Sequence, residues 1–404
     1  MSLKRSGAES PRVSGSEPLR IAFLSPDCVA TMSNGTTTYL TRITRALLLL
    51  GHEPEIFSVS HLALGPYDFY GIRVEPVTSY ECRSTTWLGR CARLANSDGL
   101  VTLLRALHGA VSLAKALEKR QRERPFDLVH CIDEGLTGLF VRKRDDRPLM
   151  TFCQYDRPLW MRMEGERHTL ASRLLAVLIR RGVRRADLVY VHSRFLRDHL
   201  FRNYGIRSHV FRPPVFRERV AAASVPRWLP ARYLIHFGLL GRRKGTDLVA
   251  AALPLVWREE PDVEMVWAGT MRTDPALIMA RYRQQWGQFA DRVTWSGALA
   301  KPVLYAVLRK AEAAVLPSRA DNLPNTVIES LAFGVPVIGF QGASLDEMVE
   351  AGVCGNLVPD GDVRALADAM LRVWRGERMW IRPPTILAEM TPRVAAINFL
   401  RLAG

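Results

Sequence analysis

PSRADNLPNTVIESLAFGVPVIGF, residues 317–340, decides how the rest of the chain is read. Pro317 and Ser318 end the apolar run AAVLP, and Asp321, Asn322, Pro324 and Asn325 are turn-formers. From Thr326 the residues VIESLAF suit a helix, with Asn325 or Thr326 as its N-cap. Gly334 closes that helix, and Val335 to Phe340 reads as a core strand. Asp321 falls in the loop and Glu329 in the helix. Free N–H groups and a positive partial charge at a helix start favour phosphate. Acidic side chains on either side of such a start suit sugar hydroxyls. The expected ligand therefore combines a sugar, a diphosphate and a nucleoside.

The same stretch resembles the donor-binding motif of the large retaining family four of glycosyltransferases (glycosyl transferases group 1). That family shows Pro-Ser, then Glu-x7-Glu, then Ala-x-Gly-x-Pro-Val. Pro317, Ser318, Asp321, Glu329, Ala332, Gly334, Pro336 and Val337 match it, with Asp in place of the first Glu. The resemblance implies an α/β chain of GT-B fold, two Rossmann-like domains facing across a cleft.

Bulk properties agree with two domains. A chain of 404 residues is too long for one core, and its 48% hydrophobic and 24% charged content is globular. No apolar run reaches the ~18–20 residues that span a bilayer. Residues 1–18, polar and rich in Ser, Pro and Gly, read as a disordered arm without a secretory apolar region. Six scattered cysteines without CxxC spacing indicate neither zinc nor a disulfide framework, and point to the cytoplasm. The net charge of +16 comes mostly from arginines dispersed along helices. No aromatic and basic platform of the kind that binds single-stranded nucleic acid is evident, so no nucleic-acid partner is expected.

In the first half, RIAFLS (20–25) is a first strand and Thr36 to Leu50 a helix ended by Gly51. The loop between them is the usual phosphate-facing position of a doubly wound sheet, and Asn34-Gly35 lets the backbone approach a ligand. Glu55 to Val59 is the next strand. Residues 83–124 are basic and helical, and Phe126–Asp133 is a strand whose end displays His130. Asp127 and His130 match the family's Asp-x-x-His-x-His, while Ile132 stands for its second His and Cys153 for the His of Thr-x-His. Residues 170–185 form a helix with leucines mainly on one face and arginines on the other, either a cover for the sheet or a membrane-surface helix.

Prolines 213, 214, 226 and 230 mark the domain boundary, giving a first domain at 19–215, a second at 216–374 and a tail at 375–404. YLIHFG (233–238) starts the second run, and GLLGRRKGTDL opens a helix near Thr246 or Asp247. The family's Gly-Arg-x4-Lys-Gly, whose Arg and Lys grip the diphosphate, is met by Gly238, Lys244 and Gly245. Leu239 holds the Arg position, and Arg242 or Arg243 is expected to supply the missing charge. Arg292 to Gly297 matches the strand whose following loop receives the nucleobase. The resemblance also implies that the tail crosses back over the first domain.

By this resemblance the chain transfers sugar from a nucleotide-sugar with retention, and Lys244, Asp321, Glu329 and His130 carry the chemistry. Asn34, Gly35, Gly238, Arg242, Arg243, Gly245, Gly297, Asn322, Leu323, Pro324, Asn325, Thr326 and Val327 hold the donor. Glu329 takes the ribose hydroxyls; Asp321 with the Asn322–Asn325 backbone takes the sugar. No metal and no cofactor are implied. The acceptor is a sugar, a lipid-linked intermediate or a small molecule, reached on an anionic membrane surface in the lipid-linked case. Rival readings are a nucleotide-sugar epimerase, a phosphorylase, or a catalytically degenerate basic binding protein.

Overall fold

The computed structural model describes residues 17–29, 35–60, 65–78, 98–216, 225–271 and 274–403. Asn34, the arm before residue 17 and residues 83–97 of the basic stretch lie outside the described residues.

Along the chain, β1 (Arg20–Ser25), α1 (Gly35–Leu49) and β2 (Glu53–Ser60) come first. A hairpin of β3 (Tyr67–Phe69) and β4 (Ile72–Thr78) precedes α2 (Asp98–Glu123), β5 (Leu128–Ile132) and β6 (Leu149–Phe152). Next are α3 (Arg157–Glu164), α4 (Leu170–Arg184), β7 (Leu188–Val191), α5 (Arg194–Tyr204) and β8 (His209–Val210). The second run holds β9 (Leu234–Leu240), α6 (Thr246–Glu259), β10 (Met265–Met271), α7 (Pro275–Trp286) and β11 (Val293–Gly297). It continues with α8 (Lys301–Leu308), β12 (Ala314–Val315), α9 (Asn325–Ala332), β13 (Val337–Phe340) and β14 (Gly355–Val358). The chain closes with α10 (Val363–Trp374), α11 (Ile386–Glu389) and α12 (Pro392–Ala403).

Two sheets result, ordered β3-β4-β2-β1-β5-β6-β7-β8 and β11-β10-β9-β12-β13-β14. The second pairs in parallel throughout, and the first carries one antiparallel pair, β3 with β4. Chain order reverses between β1 and β5 in one sheet and between β9 and β12 in the other. Open α/β sheets bind ligands outside the strand carboxyl ends at such reversals. The described residues of Met1–Phe152, Leu178–Leu188 and Pro392–Gly404 form one compact unit, and Cys153–Val177 with Val189–Thr391 form the other.

Both faces of the second sheet are covered, as its near-continuous apolar strands require. Leu234, Met265 and Trp267 point into a core with Val256, Trp257 and Trp286. Their neighbours Ile235, Val266 and Phe237 point the other way, onto Val327, Ile328 and Leu331 of α9. In the first unit, Leu113 and Leu117 of α2 pack on Phe57, Val59 and Val129. Helix α2 corrects the expectation that no apolar run is long enough for a bilayer, since Gly99–Glu123 meets that length and composition. One face of this helix, with Leu113 and Leu117 buried, packs against β2 and β4 and covers the sheet there. Helix α12 lies on α1 in this same unit, with Phe399 stacked 6.1 Å from Phe23.

Candidate functional site

The loops leaving β9 and β12 meet because two glycines have no side chain. A Cβ on Gly245, in the left-handed region at φ +78°, would lie 2.1 Å from the Pro317 carbonyl oxygen. One on Gly238 (φ +112°) would lie 2.8 Å from Thr326 Cγ2, in the first turn of α9. Any larger residue would separate the loops, so the spacing of these glycines is a packing requirement.

Between the loops sits a charge cluster. The Lys244 ammonium donates to Asp321 Oδ2, and Arg243 Nη1 reaches the same oxygen at 3.3 Å. Arg243 also donates to the Ala320 carbonyl at 3.1 Å and lies 3.3 Å from Glu164 Oε1. Its guanidinium stands over the Trp160 ring at 5.4 Å. Trp160 and Glu164 share one face of α3, being one helical turn apart. Asp156 caps that helix by accepting from the Leu159 N–H, and Gly165 closes it in the left-handed region. Burial lowers the Lys244 pKa although Asp321 pulls it back up. Burial would raise Asp321, but Lys244 and Arg243 outweigh it and hold the carboxyl below its ordinary range. Of the two arginines proposed for the place of Leu239, Arg243 joins Lys244 and Asp321, whereas Arg242 is exposed near Gly165.

Three further ties fix these loops, and the sequence reading found none of them. Arg319 pairs through both terminal nitrogens with Asp247, at 2.7 and 2.8 Å, joining the β12 loop to the start of α6. His236, inside β9, lies 2.7 Å from the Val315 carbonyl through Nδ1 and 2.9 Å from Thr246 Oγ1 through Nε2. A carbonyl can only accept, so Nδ1 carries the proton and the Thr246 hydroxyl donates to Nε2. Thr246 Oγ1 in turn accepts the Gly241 N–H at 2.9 Å. Burial pushes His236 down to about 4, so this relay holds a neutral imidazole. A histidine inside the apolar run YLIHFG was the available signal.

Helix α9 begins at Asn325 with Pro324 as its N-cap and no side-chain cap bond. This replaces the expected Asn325 or Thr326 cap, because Pro324 already has the extended conformation (ψ 121°) a cap needs. Leu323, Pro324 and Val327 are buried beneath that turn. The side chain of Asn322 is fully engaged. Its Oδ1 accepts from the Ser193 hydroxyl (2.8 Å) and His192 N–H (3.2 Å), and its Nδ2 donates to the Gln154 (3.0 Å) and Cys153 (3.3 Å) carbonyls. Glu329 is partly exposed and accepts from the Tyr305 hydroxyl at 3.2 Å. Gly297 ends β11 at φ +68°, with open space where a Cβ would be. Glu347 takes the Arg194 and Phe195 N–H groups at 2.9 and 3.0 Å, capping α5, and pairs with Arg212 at 2.8 Å.

At the other reversal, between β1 and β5, Gly35 opens α1. His130 requires a correction. It does not stand at the strand's end but in the middle of β5, fully buried against Phe23, with ring centroids 4.8 Å apart. Tyr39 and Phe399 complete its surroundings, and burial pushes its pKa down to about 3. The strand runs on through Ile132, so the residues at its carboxyl end are Asp133 and Glu134. Asp133 accepts the Glu134 N–H at 2.9 Å, and Glu134 accepts from the Thr36 hydroxyl, in the first turn of α1, at 3.2 Å. The sequence reading overlooked Glu134 because the family pattern drew attention to His130. Ile132 and Cys153, at the positions of the family's other histidines, are buried core residues. Among the described residues no group of three or more His, Cys, Asp and Glu is placed to hold a metal ion.

The sequence pattern described as "Glycosyl transferases group 1" matches residues 231–375, and that of "Glycosyl transferase 4-like domain" matches residues 34–213. The chain belongs to the group 1 glycosyltransferases. Within the family, 2-deoxystreptamine N-acetyl-D-glucosaminyltransferase of Streptomyces fradiae is 26% identical over 382 residues, 87% of each chain. The lipopolysaccharide core biosynthesis mannosyltransferase LpcC of Rhizobium leguminosarum bv. viciae is 26% identical over 61% of this chain and 69% of its own. Other matches are partial: 108 residues, 31% identical, cover 26% of the amylovoran biosynthesis glycosyltransferase AmsK of Erwinia amylovora. The fold is that of sucrose-phosphate synthase from Thermosynechococcus elongatus, with a TM-score of 0.72, 17% identity and coverage of 95% and 98% of the two chains. This is the GT-B fold of the family.

Proposed function

We propose that the chain moves a sugar from a nucleotide-sugar donor to an acceptor, with retention at the anomeric carbon and without a metal. The Lys244–Asp321–Arg243 cluster, beside the start of α9, is the observation that carries this reading. In that place Lys244 and Arg243 meet the diphosphate, assisted by the first N–H groups of α9, while Glu329 takes the ribose hydroxyls. Asp321 holds Lys244 ready and orients the sugar. The loop after Gly297 is proposed to receive the base. Support comes from a structural relative, Anabaena HepE, whose structure contains UDP and glucose (TM-score 0.63, 17% identity).

The route needs no protein nucleophile. As the bond from the anomeric carbon to the diphosphate oxygen breaks, its electron pair goes to the leaving phosphate. Preorganised cations there act where charge develops in the transition state. The acceptor hydroxyl then attacks the same face of the oxocarbenium-like carbon and yields its proton to the departing phosphate. His130 has no part in this scheme, because a fully buried neutral imidazole reaches neither group. The acceptor is proposed to be a polysaccharide or lipopolysaccharide intermediate held on a lipid at the cytoplasmic side of a membrane. LpcC, named for lipopolysaccharide core biosynthesis, supports the choice of a lipopolysaccharide-type acceptor.

The test incubates the protein with UDP-, GDP- and ADP-sugars and candidate acceptors, then follows nucleoside diphosphate release and the product's anomeric coupling by NMR. A product with the donor's anomeric configuration is expected. Inversion overturns the retaining mechanism, an epimerised donor indicates an epimerase, and a requirement for free phosphate indicates a phosphorylase.

A further inference from the structure

Helix α4 has an outward face that a helix covering a sheet in water does not need. Leu170, Leu174 and Val177 are 83%, 50% and 52% exposed. With Arg181 and Arg184, also exposed, they follow the spacing i, i+4, i+7, i+11, i+14, a single stripe along one side. Arg173 stands in the same stripe beside Leu174. The inward side is apolar as well, with Leu175, Ala176 and Val183 buried. The expected separation of leucines from arginines is therefore corrected: the two share the outer face, apolar toward the N-terminal half and basic toward the C-terminal half.

A second segment continues this surface. Leu139 touches Gly182 across the helix, and Arg185 donates to the Val141 carbonyl at 3.1 Å. The intervening Phe140 is 45% exposed, and Arg142 next to it is exposed too. Between Glu166 and Asp187 the chain has six arginines and no acidic residue. By contrast, α5 sets Asp198 against Arg197 at 2.8 Å, as is ordinary for a solvated helix.

We infer that this face of α4, extended by Phe140 and Arg142, docks on an anionic lipid bilayer. Charge complementarity selects the occupant. A second copy of a chain with net charge +16 is repelled by this face, whereas anionic headgroups are attracted to it. A bilayer surface also accepts leucine and arginine from one stripe, because leucine enters the acyl boundary while arginine reaches up to the phosphates. The inference deepens the membrane-side acceptor proposed above, and it is measured independently of turnover.

The experiment sediments the full chain with vesicles of phosphatidylcholine alone or with 30% phosphatidylglycerol, at low and high salt. Retention on the anionic vesicles at low salt is expected, falling as salt screens the arginines. Each basic residue near such a surface is worth about fivefold in partitioning, so Arg173→Gln/Arg181→Gln loses ~25-fold. Leu174→Ser/Val177→Ser, which leaves the charges in place, loses at least ~10-fold. Absence of retention overturns the inference, as does full retention of both double variants. Equal binding to neutral vesicles, or capture by a second copy in place of lipid, also overturns it. Melting-temperature shifts with nucleoside diphosphates are read on the same preparations. A missing shift there refutes the donor-site reading and leaves the docking result standing.

Discussion

Lys244→Met keeps most of the side chain's bulk and removes its charge. Lys244 and Asp321 each expose only 14% of their side chains, so the ion pair is poorly screened. Breaking a buried pair by removing one partner costs about 3–5 kcal/mol when the other charge is left alone. Here Arg243 remains 3.3 Å from Asp321, so a loss of about 1–3 kcal/mol at neutral pH is expected. The sign of its pH dependence follows from Asp321, whose folded pKa lies below its ordinary value. A depressed carboxyl stabilises the fold above its unfolded pKa, and that contribution vanishes as pH falls through the folded pKa. The deficit of the variant is thus largest near pH 7 and shrinks in acid. Turnover suffers more, because the leaving diphosphate loses a preorganised cation and meets the Asp321 carboxylate; ~10²–10³ in rate is expected. Urea denaturation at pH 7 and pH 3 reads the first effect, and nucleoside diphosphate release the second. A folded Lys244→Met protein within about threefold of wild-type turnover refutes the reasoning about this cation.

Arg243→Gln weakens UDP or GDP binding about tenfold by titration calorimetry while Arg242→Gln changes it less than twofold, and equal losses contradict the placement of Arg243. Thr246→Val cuts the link from His236 to the Gly241 N–H and costs about 1–2 kcal/mol of stability, largely restored by Thr246→Ser; a neutral effect removes the relay from the account. His130 and His236, lowered to about 3 and about 4 by burial, bind protons more readily unfolded than folded. Stability therefore falls between pH 6.5 and 4 by on the order of 3 kcal/mol for each, and a flat urea profile over that window contradicts their burial.

Local pattern made the elements of the second unit legible. YLIHFG, VEMVWAG and RVTWSG are apolar runs bounded by glycine, and each contains most of a strand. The glycines at 238 and 245 were readable as close approaches, since their spacing reports backbone geometry. What sequence could not reveal was direction. Asn322 looked like a ligand-facing turn residue, but its amide is saturated by residues 153–154 and 192–193, far away in sequence. His130 looked displayed because it was read as part of the exposed end of a strand over 126–133, whereas the strand is buried along its whole length and His130 lies at its middle. Trp160 and Glu164 became visible only when α3 was seen carrying them to Arg243. The outward leucines of α4 carry no signal of their own, because helix periodicity gives the faces and tertiary packing decides which one is covered.

The proposed binding of a nucleoside diphosphate falls where the β9 and β12 loops meet. Its most direct test is the melting temperature of wild type and Lys244→Met with UDP, GDP and ADP. A ligand at 100 times its Kd that binds only the folded chain adds about 2.7 kcal/mol to stability. We expect at least one diphosphate to raise the wild-type melting temperature by several degrees and to do far less for Lys244→Met. No shift with any of the three, or an equal shift in both proteins, would contradict the assignment.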